Sequence, residues 1–376
     1  MKVRQCIYID GSWIKDNPES CNIRPSLILI FGGICLNSNK KIIASINSTF
    51  PDAVVIGCTT AGEIGNNQIL EDSLSITLVE FENSSVLSTS VFADNNQTSF
   101  DIGQEAARRL PKENLKHLMV LSEGLSMNGS ELVDGILSEI NSEIKLTGAL
   151  AADGEDFIKT CLLNNNEINE NGIVLLGFYG EQLEIGFGCY GGWDPFGPDR
   201  LVTKSEQKEL FELDNEPALK LYKNYLGSYA NKLPSSGLLF PLSIRDGLDE
   251  TERQVRTIVG IDEEKQSLTF VGHIPIGSYA RLMKSNNHQL IEGASNAAKN
   301  SIIDNTSPSL AIVFSCVGRK LILKQRVEEE IEALIDVYGA NTTLSGFYSY
   351  GEIAPHNNTT RAALHNQTIC ITTISE

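Results

Sequence analysis

One fragment is used twice in this chain. Gly57-Cys-Thr-Thr-Ala-Gly-Glu-Ile-Gly65 aligns without gaps to Gly346-Phe-Tyr-Ser-Tyr-Gly-Glu-Ile-Ala354, keeping both glycines, the glutamate and the isoleucine. Repetition near both ends points to repeated architecture, and the polar content of the fragment suggests a ligand site between the copies. Ten residues after Pro355, the run His365-Asn-Gln-Thr368 adds an imidazole and two carboxamides.

The surrounding pattern supports a repeat. An apolar run at 27–31 leads through Gly32, Gly33 and Cys35 to a short helical stretch, the run 53–56 and the first fragment. Two alternating segments follow at 74–81 and 86–92, where a period of two predicts half-buried strands. The order recurs from His117: an apolar run to Leu121, Ser122-Glu123-Gly124, a helix, then Leu146-Thr-Gly-Ala-Leu-Ala-Ala-Asp-Gly-Glu155 and further strands to Cys189. Gly57 and Gly148 are about 90 residues apart, a period that suits duplicated half-domains better than a solenoid. Segment 310–374 returns to the same unit. Asn128 and Glu131 predict a capped helix over Leu132, Val133, Ile136, Leu137 and Ile140. The turn-dense stretch Gly191–Pro198 reads as a loop between domains. The expected fold is α/β with an α+β-like mixture. It has two domains, 1–195 and 196–376, with mixed or antiparallel sheets covered by helices. Both are built from strand–helix–strand–strand–strand units, duplicated in the first domain over about 25–95 and 115–190.

These words are similar to those of the FIST family. The resemblance rests on Gly57-Cys-Thr-Thr-Ala-Gly-Glu-Ile64, Phe314-Ser-Cys-Val-Gly-Arg319, Gly346-Phe-Tyr-Ser-Tyr-Gly-Glu-Ile-Ala-Pro355 and His365-Asn-Gln-Thr368, and it covers nearly the whole chain. It implies a FIST N-terminal and a FIST C-terminal domain acting as a non-enzymatic sensory module for a small ligand, often fused to or encoded beside histidine kinases or cyclic-dinucleotide enzymes. Some members are haem proteins that sense nitric oxide. The implied partners are a small molecule and one such signalling protein, with haem a possible cofactor and no metal site.

Residue chemistry adds candidates. Apolar strands run into polar loops at Phe31, Leu121 and Phe314, the kind of strand end where α/β sheets hold ligands. Glu352 can bind a ligand amine, or it can accept backbone N–H groups as a loop staple, a role that Glu63 would share. Tyr348 and Tyr350 fall on its side of an extended segment. Arg319 suits bidentate capture of a carboxylate, or pairs with acidic surface. His365 can bind a carboxylate, coordinate iron or hydrogen-bond the Glu352 loop. With Cys316 and Gln367 these residues form the candidate ligand site, for a metabolite such as an amino acid. Haem ligation would fall to His365, His273 or His117. A cysteine-dependent enzyme would use Cys58 or Cys316 as nucleophile with His365 as base. The run Glu328-Glu329-Glu330 reads as a solvated face at a helix start. His288 and His356 read as exposed loop residues, Trp193 as a loop anchor or a ligand platform, and the side on which Arg256 points is open.

Composition narrows the partners. The formal charge is −18, which repels nucleic acid and anionic membranes. The eight cysteines show no C-x-x-C pair, so no zinc site is indicated and most are expected to be reduced and buried. No run is long and apolar enough to span a membrane, and the start MKVRQCIYIDGSW has no signal pattern. A cytoplasmic location is the expectation.

Overall fold

The computed structural model describes the chain except residues 34, 66, 94–96, 249–253, 305 and 356–360, and the side chains of Cys35 and Asn37. His356 therefore lies outside the described residues.

Three parallel strand pairs organise the body. Leu27–Phe31 pairs with Val54–Cys58, Leu115–Ser122 with Lys145–Leu150, and Leu310–Cys316 with Thr343–Ser349. Parallel neighbours need a crossover. It is supplied by the helix Lys40–Thr49 in the first unit, Gly129–Leu137 in the second, and Val317–Leu323 with Glu328–Tyr338 in the third. Each first strand is flanked on its other side by an antiparallel one: Ser73–Glu80, Ile173–Tyr179 and Ile369–Ser375. The fold is α/β, with mixed and antiparallel sheets and covering helices.

In each unit the chain then leaves its own sheet. Glu63–Gly65 pairs with Thr343–Ser349 of the third unit, Gly351–Pro355 with Lys145–Leu150 of the second, and Leu162–Asn164 with Val54–Cys58 of the first. The three units are thus joined in a ring. Their facing strands share one core, in which Leu29, Ile56, Leu121, Ala149, Ile312 and Phe347 all lie. Phe347 packs against Phe31 and Phe314, with centroids 4.8 and 5.2 Å away.

The equivalent glycines Gly57, Gly148 and Gly346 sit opposite Ile30, Val120 and Val313 in the parallel ladders. A Cβ at these positions would lie 1.8, 2.0 and 1.8 Å from the carbonyl oxygen of that partner. Only a residue without a side chain permits the approach.

The chain leaves this body at Asp194 and returns through the helix Asn287–Ser301. Between them, the strands from Asp194–Glu206 to Tyr279–Lys284 build an eight-stranded sheet with its own core, including Leu210, Tyr222 and Phe270. The stretch read as a loop at 191–198 is strand from Asp194 onward, and Pro198 is accommodated where the register slips between Phe196 and Arg200. Cys189 and Cys370 depart from the expectation of reduced thiols. They are opposite each other in an antiparallel pair and form a disulfide. Among the described residues no helix is long and apolar enough to cross a membrane.

Candidate functional site

The repeated motif carries a repeated carboxylate staple. Glu63 accepts hydrogen bonds from the Thr60 hydroxyl three residues before it and from the Ser73 hydroxyl (2.7 Å) and N–H (3.3 Å). Glu352 accepts from the Ser349 hydroxyl (2.6 Å), again three residues before, and from the Thr368 hydroxyl (2.8 Å) and N–H (3.2 Å). Both side chains are fully buried. A third carboxylate, Glu123, holds the loop after its own strand through the Leu125, Ser126 and Met127 N–H groups and the Thr160 hydroxyl. These groups fix loop conformation, because buried carboxylate oxygens must be supplied with donors.

Burial pushes the Glu352 carboxyl up to about 8 and that of Glu63 up to about 6, against the hydrogen bonds from their hydroxyl and N–H donors. The folded protein therefore holds these protons more tightly than the unfolded chain, whose glutamates titrate near about 4.3. The resulting stability is fully present below about pH 4 and is lost as the pH rises toward about 8. Urea midpoints are expected to fall between about pH 5 and pH 8, and Glu352→Gln, a neutral isostere, should flatten the decline above pH 6. An unchanged slope in that variant would remove Glu352 as its source.

Tyr348, Tyr350 and Glu352 do not share one face, because the strand bends at Tyr350. The Tyr350 hydroxyl donates to Asp153 of the second unit and to Gly154 O (3.2 Å), and its ring stacks on Phe157 at 4.5 Å. The Tyr348 hydroxyl instead donates to Glu330 at 2.9 Å.

Glu330 is the residue that sequence reasoning missed. It is buried, not solvated, and its partners are Arg319 (Nε–Oε1 2.8 Å, Nη2–Oε1 2.6 Å), Ser315 Oγ (2.9 Å) and Tyr348. The helix signals this: Glu330, Leu334 and Tyr338 recur every four residues on the buried face. Arg319 also donates to the Gly191 and Leu290 carbonyls, and neither member of the pair is exposed. Its guanidinium thus binds the body together and has no free edge for a ligand carboxylate.

Glu352 and His365 are opposite each other in an antiparallel pair. The His365 Nε2 donates to Ala354 O at 3.0 Å. Cys316 N–H donates to Thr368 O at 3.0 Å, while Gln367 lies over Gly318, where a Cβ would meet its amide at 2.4 Å. The Gln367 Nε2 reaches Leu238 O at 3.0 Å. Cys316, Arg319, Glu352, His365 and Gln367 therefore do converge, mostly as buried structure. His365 and Thr368 open onto a cavity of about 490 Å³, which Trp193, Asp194, Gln289 and Glu292 also line. Trp193 is a loop anchor as well, its Nε1 donating to Gln367 O at 2.7 Å.

The haem candidates fit poorly. His117 is enclosed by the core, with Nε2 2.8 Å from Thr147 Oγ1 and its basicity pushed down to about 3 by burial. His273 faces a cavity lined by Arg245, Arg256 and Arg361, and His365 a polar one. Neither offers the apolar slot that a porphyrin requires. The thiols of Cys58 and Cys316 are buried, and burial raises both well above their ordinary value, so the cysteine-nucleophile reading finds no support. Among the described residues no cluster of three metal-ligating side chains occurs.

A protein of Methanocaldococcus jannaschii described as uncharacterized protein MJ1623 is 24% identical to this chain, over 89% of this chain and 72% of its own length. A solved cyanuric acid hydrolase from A. caulinodans aligns over 99% of this chain and 98% of its own, but with 9% identity and a TM-score of 0.32, too low to carry an argument. The FIST N domain matches residues 26–216 and the FIST C domain residues 218–355. Matched along most of its length, the chain belongs to the FIST family, whose domains are sensory modules for small ligands.

Proposed function

We propose that this protein senses a small polar metabolite bearing an ammonium group, such as an amino acid, in the 490 Å³ cavity over His365 and Thr368. One observation carries the reading. Thr368 closes the buried Glu352 staple and also lines that cavity, whose other walls include Val255 and Met283 of the inserted sheet. A ligand there would touch both the body and the inserted sheet. It would favour whichever arrangement of the two it binds more tightly, and that difference is what a sensor transmits. Asp194 and Glu292 offer carboxylates to an amine, Asn296 a carboxamide to a carboxylate, and Trp193 an apolar wall. The receiver of the signal would be a histidine kinase or a cyclic-dinucleotide enzyme.

A thermal-shift screen of the full chain over the twenty amino acids tests this. At about 100 times the dissociation constant, a binder adds about 2.7 kcal/mol to the native state. At least one amino acid is expected to raise the midpoint, and Glu292→Gln, an exposed change, should weaken that ligand about tenfold. No shift with any amino acid would overturn the proposal.

A further inference from the structure

One cysteine in the wall of the cavity over His365 and Thr368 is oxidised. Cys189 lies near the end of the strand Glu184–Tyr190, opposite Cys370 of Ile369–Ser375, and the two sulfurs are joined. The other cysteines whose side chains are described, Cys6, Cys21, Cys58, Cys161 and Cys316, are free thiols. A structural framework pairs its cysteines throughout, whereas a single link among free thiols fits exchange chemistry better.

The two sulfurs differ in access. Cys189 belongs to the wall of the 490 Å³ cavity, whereas Cys370 is 2% exposed, packs against Ala354 and has its Sγ 3.5 Å from Thr368 Oγ1. A nucleophile arriving through the cavity therefore meets Cys189 first. Charge then selects the nucleophile. Asp194 and Glu292 line the cavity, and none of its described lining residues is a lysine or an arginine. Asp194 accepts from the neutral Gln289, and Glu292 lies 3.9 Å from His288 Nδ1. A hollow lined in this way draws cations and repels anions.

We propose that Cys189–Cys370 is a thiol–disulfide exchange site whose substrate is a small cationic aminothiol. Its thiolate attacks Cys189 Sγ and forms a mixed disulfide there, while the bond to Cys370 breaks and its electron pair leaves on Cys370. A second thiolate attacks the aminothiol sulfur of that mixed disulfide and frees Cys189. Two aminothiols are thereby oxidised to one disulfide, and the protein link takes up two electrons and, from water, two protons. Reduction gives Cys370 an S–H that can donate to Thr368 Oγ1, whose own hydrogen goes to Glu352. It also removes the covalent hold just before residues 191–194, where the chain passes from the body to the inserted sheet. The exchange requires only that a small molecule reach Cys189, so it stands or falls apart from the amino-acid reading above.

Exposure of the folded full chain to cysteamine, with acid quenching and peptide mass mapping, tests the site. Millimolar cysteamine is expected to reduce the link without denaturant, at a rate proportional to its concentration, with the adduct on Cys189. Compared per thiolate at low salt, it should react about threefold or more faster than 3-mercaptopropionate, whose carboxylate is repelled. In Cys370→Ser the freed Cys189 should form a mixed disulfide with cystamine, while in Cys189→Ser the remaining Cys370 should resist it. Should either variant fail to fold, the position of the wild-type adduct decides. Hydrogen exchange at residues 191–194 should rise on reduction, and unchanged exchange would overturn the proposed hold on that segment. A link that yields only when urea unfolds the chain, an adduct on Cys370, or equal rates for the two thiols would overturn the exchange site itself.

Discussion

Replacing Glu330 with alanine is expected to lower the unfolding free energy by about 3–5 kcal/mol, because it strands a buried guanidinium. Arg319 would keep only carbonyl acceptors, and the hydroxyls of Ser315 and Tyr348 would lose their acceptor in the same step. Urea unfolding checks this, with Glu329→Ala as the control. Glu329 pairs with Arg326 on the surface, so that variant should leave the midpoint essentially unchanged. Changing both members of the buried pair, as in Arg319→Met with Glu330→Leu, should recover part of the loss, since no charge is then left unpaired. A Glu330→Ala protein as stable as the wild type would show that water reaches Arg319 and that the pair is not sealed.

Gly346→Ala should be comparably damaging, at about 3 kcal/mol or more. Overpacking a well-filled site costs about 1–3 kcal/mol and occasionally more, and here the obstacle is backbone that no rotamer change can clear. The added methyl would lie 1.8 Å from Val313 O and 2.7 Å from its carbonyl carbon, so the two parallel strands must part. The strand that moves also carries Phe347, at the centre of the shared core, and Tyr348. Gly33→Ala is the matched control, because the nearest atom there is a Glu63 carboxyl oxygen at 3.8 Å. That change should stay within about 0.5 kcal/mol. Thermal melts of the two variants side by side decide the matter, and equal midpoints would refute the close-approach account.

Much of the body was legible from residues alone. The apolar runs at 27–31, 117–121 and 310–314 are the strands Leu27–Phe31, Leu115–Ser122 and Leu310–Cys316, and the twice-used fragment marks equivalent places in two units. The ring of exchanged strands was not legible. A continuous apolar run states that a strand is buried on both faces but not which neighbour buries it. The staple could be read from the motif, where a hydroxyl stands three residues before each glutamate, at Thr60 and Ser349. Arg319 was misread because its partner lies eleven residues away inside an acidic run, where only helical phase separates the buried Glu330 from the more accessible Glu328 and Glu329. For Arg256, alternation fixed that it opposes Val255 and left open which side holds a cavity.

The seam between the two matched regions, at residues 216–218, exists in the sequence and not in the hydrogen bonding. Glu63–Gly65 is stitched to Thr343–Ser349, and Gly351–Pro355 to Lys145–Leu150, across that seam. Fragments cut there would each present unpaired strand edges, ready either to reassociate with the missing piece or to aggregate. Severing the polypeptide at its apparent joint would therefore yield two incomplete objects rather than two working modules.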